Sequence, residues 1–202
     1  MSYHNDIFVS YRRHEETRRW INEHFVPLLE LRVGLELGRK PDVFVDTQLE
    51  SGASWPKQLG EALGRSRTLI ALWSGNYLAS EWCAMELSHM LDREQWAGLR
   101  KTGSGFGLVI PATIHDGETL PDALKHIQAF DLKNCFNVRM ARNSPRAEEL
   151  DAELTAQAAA IATCVRGAPQ WRKAWPQKAA STFFKQLKAR SATRPVLPKF
   201  TA

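Results

Sequence analysis

The chain has 202 residues, of which 44% are hydrophobic and 24% charged, as in an ordinary globular protein that buries a core of its own. This composition excludes intrinsic disorder as the main state, and no apolar run approaches the 18 residues of a membrane span, so we expect no membrane partner. The net charge of +5 is uneven, because residues 1–165 carry an excess of four acidic residues, whereas the segment from Arg166 onward carries nine basic residues and no acidic one.

Short apolar runs rich in β-branched residues alternate along the chain with helical patterns. In chain order, strands are predicted at Asp6–Tyr11, Val43–Asp46, Thr68–Ser74, Gly107–Ile114 and Phe130–Leu132. The helical patterns fall at Glu15–Leu37, Ser54–Arg65, Ser80–Leu99 and Glu148–Val165. Pro27 should kink or divide the first of these helices, and Ser80 is suited to cap the amino terminus of the third.

This order of elements predicts an α/β protein. Nearly continuous apolar strands separated by helices are typical of a parallel sheet covered on both faces. In such sheets ligands bind outside the carboxyl ends of the strands. The segments that follow the first three strands, at 11–13, 46–55 and 74–86, are therefore the candidates for a functional site.

The remaining composition favours a reducing compartment. Cys83, Cys135 and Cys164 are too scattered for a disulfide framework or a zinc cluster, and the histidines lack metal-ligand spacing, so no metal is expected. The amino-terminal residues have no basic region followed by an apolar one, as a secretory signal would. We therefore expect a cytoplasmic protein.

Three segments carry a family resemblance. DIFVSYRR at 6–13, VFVDTQLESGASW at 43–55 and TLIALWSGNYLASEWCAMEL at 68–87 together resemble a TIR (Toll/interleukin-1 receptor) domain, in the right order and spacing. The resemblance implies a flavodoxin-like three-layer fold with a five-stranded parallel sheet. It assigns residues 1–166 to the TIR domain and leaves residues 167–202 as a basic, partly helical carboxyl-terminal extension.

The resemblance also implies an activity. Some TIR domains are enzymes that cleave NAD at the bond between nicotinamide and ribose, and Glu86 occupies the position of their catalytic glutamate. NAD would then be the substrate, no prosthetic group would be needed, and ADP-ribose or a cyclic isomer would be the co-product. One carboxylate suffices because nicotinamide leaves a cationic pyridinium as a neutral molecule, without a general acid.

Further residues are expected around Glu86. Those predicted to bind the substrate are Ser10, Tyr11 and Arg12 at the end of the first strand, Asp46, Leu49, Gly52 and Trp55 in the second segment, and Ser74 and Trp82 in the third. Simpler interpretations stay open, since Glu86 and Arg12 can be surface charges, Trp55 and Trp82 can be packing aromatics, and Asp46 can fix loop geometry. Cys83 is better explained as a small buried hydrophobe than as a nucleophile.

Three functional classes stay open on this sequence. The first is an NAD-consuming enzyme of bacterial type, activated by TIR–TIR assembly, by a partner protein or by a small-molecule signal, with a role in anti-phage defence or toxicity. The second is a non-catalytic TIR–TIR adaptor. The third is a nucleic-acid-binding protein that uses the basic extension with Trp171 and Trp175. Alternatively, the extension would form a docking surface for the activating partner, through Trp171, Trp175, Phe183, Phe184 and Leu187.

Overall fold

A parallel sheet forms the centre of the molecule in a computed structural model that describes residues 2–45, 55–77, 79–100, 106–115, 124 and 127–173, with only the backbone of 55–57. Its strands are β1 (Asn5–Tyr11), β2 (Val43–Val45), β3 (Ser66–Trp73), β4 (Val109–Thr113) and β5 (Phe130–Asp131). The strand order is β2-β1-β3-β4-β5, and every pair is parallel. This is the flavodoxin-like arrangement, and the predicted fold class is confirmed.

The register of the central strands decides which side chains meet on each face. Ile7 pairs with Val43 on one side and Thr68 on the other. Successive side chains of a strand point to opposite faces, so Ile7, Val9 and Tyr11 contribute to one core, and Phe8 to the other. Both faces are buried, which explains why the strands are almost continuously apolar.

One face of the sheet is covered by three helical segments and the long final helix. These are α1 (Glu15–Trp20), a π-helical turn (Ile21–Phe25), α2 (Val26–Leu37) and α5 (Pro145–Arg166). The irregularity predicted at Pro27, a kink or a division, takes the form of a π-helical turn that ends just before Pro27, which occupies the first turn of α2. Proline has no N–H to donate to the carbonyl four residues earlier, as a continuous α-helix requires. The wider turn before Pro27 removes the requirement for that hydrogen bond.

The opposite face carries α3 (Trp55–Gly64) and α4 (Glu81–Ala97). Ser80 caps α4 as predicted, since its side-chain oxygen accepts from the backbone N–H of Cys83 at 3.4 Å. Gly98 ends the helix at φ 67°, a left-handed conformation that suits glycine. The apolar side of α4 packs on the sheet through Cys83, Leu87, Met90 and Leu91.

After α5 the chain turns along the amino-terminal edge of the sheet. Tyr3 donates its hydroxyl to the carbonyl of Pro169 at 2.7 Å, and the Trp171 indole N–H donates to the carbonyl of Gly64 at 3.2 Å. The guanidinium of Arg172 lies 4.5 Å from the centre of the Trp96 ring. Residues 174–202, with Trp175, Phe183, Phe184 and Leu187, lie outside the described residues, so the boundary at 167 and the helicity of the extension stay predictions.

Among the helices that the structure describes, none is both long enough and apolar enough to cross a lipid bilayer.

Candidate functional site

The carboxyl edge of the sheet brings two chain exits together. β1 and β3 are neighbours, yet β1 leads into α1 on one face, whereas β3 leads into α4 on the other. A crevice opens where adjacent parallel strands send their connections to opposite faces, and ligands of open α/β sheets bind there. The end of β1 and the start of α4 line this crevice.

Glu86 is buried at the start of α4. It is 7% exposed, so it is not a solvent-facing helix glutamate. Ser10 donates its hydroxyl to Glu86 Oε2 at 2.5 Å. Ser10 comes from β1 and alternates with Tyr11, so its side chain faces α4 and meets the carboxylate. A buried carboxylate requires such hydrogen bonds, because desolvation disfavours its charged form.

Tyr77 extends the hydrogen bonding behind Ser10. The Ser10 and Tyr77 hydroxyl oxygens are 2.5 Å apart, and Tyr77 is fully buried. Burial raises the pKa of Tyr77 well above its ordinary value, and the nearby Cys83 and Glu86 raise it further. Tyr77 therefore keeps its proton at physiological pH. The sequence prediction missed this residue, although it lies three positions after Ser74, in one of the three segments predicted to carry the site.

Cys83 lies one turn before Glu86 and contributes no nucleophile. Burial, followed by the charge of Glu86, raises the pKa of the Cys83 thiol to about 12. The thiol donates a weak hydrogen bond to the carbonyl of Tyr11 at 3.4 Å. A thiol with so high a pKa is almost entirely protonated at neutral pH, so the chemistry at this edge belongs to the carboxylate.

Glu86 opens into a cavity of about 300 Å³, the smaller cavity. Its volume is at the lower end of the range for small-molecule pockets. Five residues of the predicted site line it together, namely Ser10, Tyr11, Arg12, Trp82 and Glu86. Trp82 keeps 39% of its surface exposed, whereas Tyr11 is 5% exposed. Trp82 therefore offers an aromatic surface to a ligand, while most of Tyr11 belongs to the core.

A second cavity of about 800 Å³, the larger cavity, lies beside the first. Arg12 and Arg13 line both cavities, so the two adjoin at the exit of β1. The larger cavity holds the predicted residue Ser74, together with His14 and His115, which the sequence prediction did not select. Its charged lining has a basic excess, since Arg12 and Arg13 face Glu16 as the one acidic residue among the described ones that line it.

His115 follows β4 by two residues and has an unusual backbone conformation. Its φ is 50°, in the left-handed region, and its ring lies 4.2 Å from the ring of Phe136, centre to centre. Left-handed backbone in a residue other than glycine costs free energy and recurs at ligand sites. Phe136 thus holds the His115 ring at the wall of the larger cavity.

Four predicted residues cannot be placed in these cavities. Asp46, Leu49 and Gly52 lie outside the described residues. The backbone of Trp55 begins α3, but its side chain lies outside the described part of the chain. The predicted second segment of the site is therefore untested.

The described residues favour a site that binds organic cations and phosphates. Within the ranges that the structure describes, no group of three His, Cys, Asp or Glu side chains has the arrangement of a metal site. The groups of the smaller cavity that can meet such a ligand include one buried carboxylate, a partly exposed indole and two arginines. The carboxylate can stabilise a developing positive charge, and an arginine fork matches phosphate oxygens.

Comparison with known proteins adds a family. A family model described as TIR domain matches residues 7–143. The TMV resistance protein N of Nicotiana glutinosa is 32% identical over 87 residues, which are 43% of this chain and 7% of that protein. The chain thus spans a small part of that relative's length.

Two solved structures are similar at lower identity. The TIR domain of the Toll-related receptor TRR-2 from Hydra magnipapillata is 20% identical with a TM-score of 0.45, and the match covers 63% of this chain and 83% of that one. The TIR domains of the activated Roq1 resistosome, which directly recognises the pathogen effector XopQ, are 18% identical with a TM-score of 0.38, over 93% of this chain and 98% of that one.

Proposed function

The chain belongs to the TIR domain family, and from this premise we propose that it cleaves NAD at the bond between nicotinamide and ribose. The observation that carries the proposal is Glu86, a buried carboxylate that accepts a hydrogen bond from Ser10 and lines a cavity at the carboxyl edge of the sheet. An adaptor surface does not require a buried carboxylate that lines a cavity, whereas a site that stabilises a ribosyl cation requires such a carboxylate.

The proposed chemistry needs one carboxylate. The glycosidic C–N bond breaks with its electron pair moving to the pyridinium nitrogen, which leaves nicotinamide neutral. A glycosidase with an alkoxide leaving group needs a second, protonated acid, and this reaction does not. Glu86 stabilises the oxocarbenium-like ribose and binds its hydroxyls.

The two adjoining cavities suit the two halves of a dinucleotide. We place the nicotinamide and its ribose in the smaller cavity, between Trp82 and Glu86. Arg12 and Arg13 line both cavities and would bind the diphosphate between them. The adenosine would then extend toward the larger cavity.

Two acceptors for the ribosyl cation are consistent with this site. Water attacks the anomeric carbon and loses a proton to give ADP-ribose, whereas an adenine nitrogen of the same molecule gives a cyclic isomer. Both nucleophiles follow the same bond cleavage at Glu86. The co-product therefore identifies the acceptor without changing the role of the carboxylate.

Regulation by self-association through TIR–TIR contacts belongs to the same proposal. The trigger would be a partner protein or a small-molecule signal. The relatives reported above come from a plant and from Hydra, so a bacterial-type role in immunity against phage stays a prediction.

The proposal is tested by incubating concentrated protein with NAD and measuring nicotinamide by HPLC. The wild type should release nicotinamide, and Glu86→Gln should lose about 100-fold in rate, as removal of a transition-state contact does. Glu81→Gln is the matched control, because Glu81 is an exposed glutamate at the first position of the same helix. Equal cleavage by wild type and Glu86→Gln would refute the proposal. No release by wild type, alone or assembled, would favour the adaptor.

A further inference from the structure

Tyr77 connects the loop after β3 to the carboxylate on α4 through a residue of β1. Its hydroxyl lies 2.5 Å from Ser10 Oγ, which is 2.5 Å from Glu86 Oε2. The exposed fractions of these three side chains are 0%, 1% and 7% in that order. Ser10 of β1 thus joins two residues that lie 67 and 76 positions away into one buried row of oxygen atoms.

The direction of the protons in this row follows from the number that each group holds. A hydroxyl has one proton to donate, and an ionised carboxylate only accepts. Ser10 donates to Glu86, so its oxygen is left as the acceptor toward Tyr77. Tyr77 is then the donor, and it retains its proton because burial opposes its ionisation.

The backbone around Tyr77 holds the phenol in place. Its N–H donates to the carbonyl of Ser74 at 2.9 Å, and its carbonyl accepts from the N–H of Ser80 at 3.1 Å. Ser80 in turn caps α4, the helix that carries Glu86. Backbone hydrogen bonds therefore link the donor to the amino terminus of the helix that carries the carboxylate.

We propose that Tyr77 is a positioning residue that acts through Ser10 to fix the orientation and the ionised form of Glu86. This inference rests on the proposed cleavage of NAD for its catalytic consequence, but not for its effect on the carboxylate. Packing alone does not need the hydroxyl, since phenylalanine fills the same volume without a polar group to satisfy. The Tyr77 hydroxyl is explained by the hydrogen bond that it donates to Ser10.

The titratable and charged groups around Glu86 come from β1, from α4 and from the loop after β3. Among the described residues these are Tyr77, Cys83 on α4, and Tyr11, Arg12 and Arg13 at the end of β1. Burial raises the pKa of Tyr77 and of Cys83, so both keep their protons at neutral pH. The NMR signal that is lost in Glu86→Gln therefore gives the titration of the carboxylate itself.

The test compares wild type with Tyr77→Phe. Carboxyl ¹³C NMR of protein labelled at glutamate gives the titration of Glu86, whose signal is identified by its absence in Glu86→Gln. Tyr77→Phe should raise the pKa of Glu86 by about half a unit to one unit, since the Ser10 proton is no longer directed to it. The kcat for NAD should fall about tenfold with KM within about twofold, as when a contact specific to the transition state is lost.

Tyr3→Phe is the control for removal of a phenol hydroxyl, because Tyr3 bonds to Pro169 at the opposite edge of the sheet. It should change neither the titration of Glu86 nor kcat. Ser10→Ala removes the link itself and should shift the Glu86 titration at least as far, which keeps the test valid if Tyr77→Phe does not fold.

The outcomes separate the two proposals. An unchanged Glu86 titration in Tyr77→Phe or Ser10→Ala overturns the inference, and so does a shifted titration with unchanged kcat. If the wild type cleaves no NAD, the proposed function fails, while the NMR titration still decides whether Tyr77 controls the carboxylate.

Discussion

Arg93 and His89 lie one turn apart on the buried side of α4, and Arg93 Nη2 is 3.1 Å from His89 Nε2. A guanidinium has only donors, so His89 Nε2 must accept and the imidazole is neutral. Burial, with the charge of Arg93 second, lowers the pKa of His89 to about 3. Arg93 also donates to the carbonyl of Ser66 at 2.7 Å, which connects α4 to the start of β3.

This pair predicts that the protein loses stability in mild acid. Between pH 6.5 and 3 the unfolded chain binds a proton at His89 that the folded chain excludes, so stability rises with pH in that window and its full value is present above it. The contribution lost at pH 5 is about 2 kcal/mol as an upper limit. Urea unfolding at pH 7 and pH 5 measures it. His89→Gln should reduce the difference, and His14→Gln, at an exposed histidine, should not.

Arg12 predicts a defect in substrate binding. Arg12→Ala should raise the KM for NAD about tenfold, because a charge-assisted hydrogen bond to the diphosphate is lost. Steady-state kinetics over a range of NAD concentrations measures the change. Arg19→Ala is the control, since Arg19 pairs with Glu23 at 2.9 Å on the exposed surface of the first helical segments. A KM that Arg12→Ala leaves unchanged would place the diphosphate elsewhere.

Cys83 is expected to resist alkylation in the folded protein. With a pKa of about 12 its thiolate is about one part in 10,000 at pH 8, and its side chain is buried. Iodoacetamide at pH 8, followed by mass spectrometry of peptides, should label Cys83 only after unfolding in guanidinium chloride. Labelling of the native chain at the rate of the unfolded chain would contradict the buried, protonated thiol.

Alanine substitutions at Gly167 and Gly60 are expected to change the free energy of unfolding in opposite directions. A Cβ on Gly167 would lie 2.4 Å from the Phe106 ring, so Gly167→Ala should destabilise the fold by about 1–3 kcal/mol. Gly60 lies inside α3 with no atom within 4 Å of an added Cβ, so Gly60→Ala should stabilise it by about 1 kcal/mol. Chemical denaturation of both variants gives the two signs. Equal shifts would show that residue 167 is not packed against Phe106.

The sequence predicted the sheet well because its strands are buried on both faces and so stand out as apolar runs. It placed β4 over Gly107–Ile114, whereas the structure has Val109–Thr113, since the ends of a strand depend on its neighbours' hydrogen bonds. The sequence did not predict the π-helical turn. Helical periodicity alone does not distinguish a kink from a wider turn at Pro27.

The site was predicted in part for the same reason. Ser10 and Glu86 follow from the segments at strand exits and from the family resemblance. Tyr77 does not, because its partner lies 67 positions away, and only the pairing of β1 with β3 brings the two together. Local pattern also could not show that Ser74 lines the larger cavity.

The path of the chain after α5 has a practical consequence. The chain contacts the amino-terminal edge of the sheet through Pro169, Trp171 and Arg172. This edge lies across the molecule from Ser10 and Glu86. A biotin tag or a fluorescent reporter coupled to the exposed side chain of Lys173 would therefore be attached on the far side. On a sensor chip, molecules held by such a tag would present both cavities to the flowing solution.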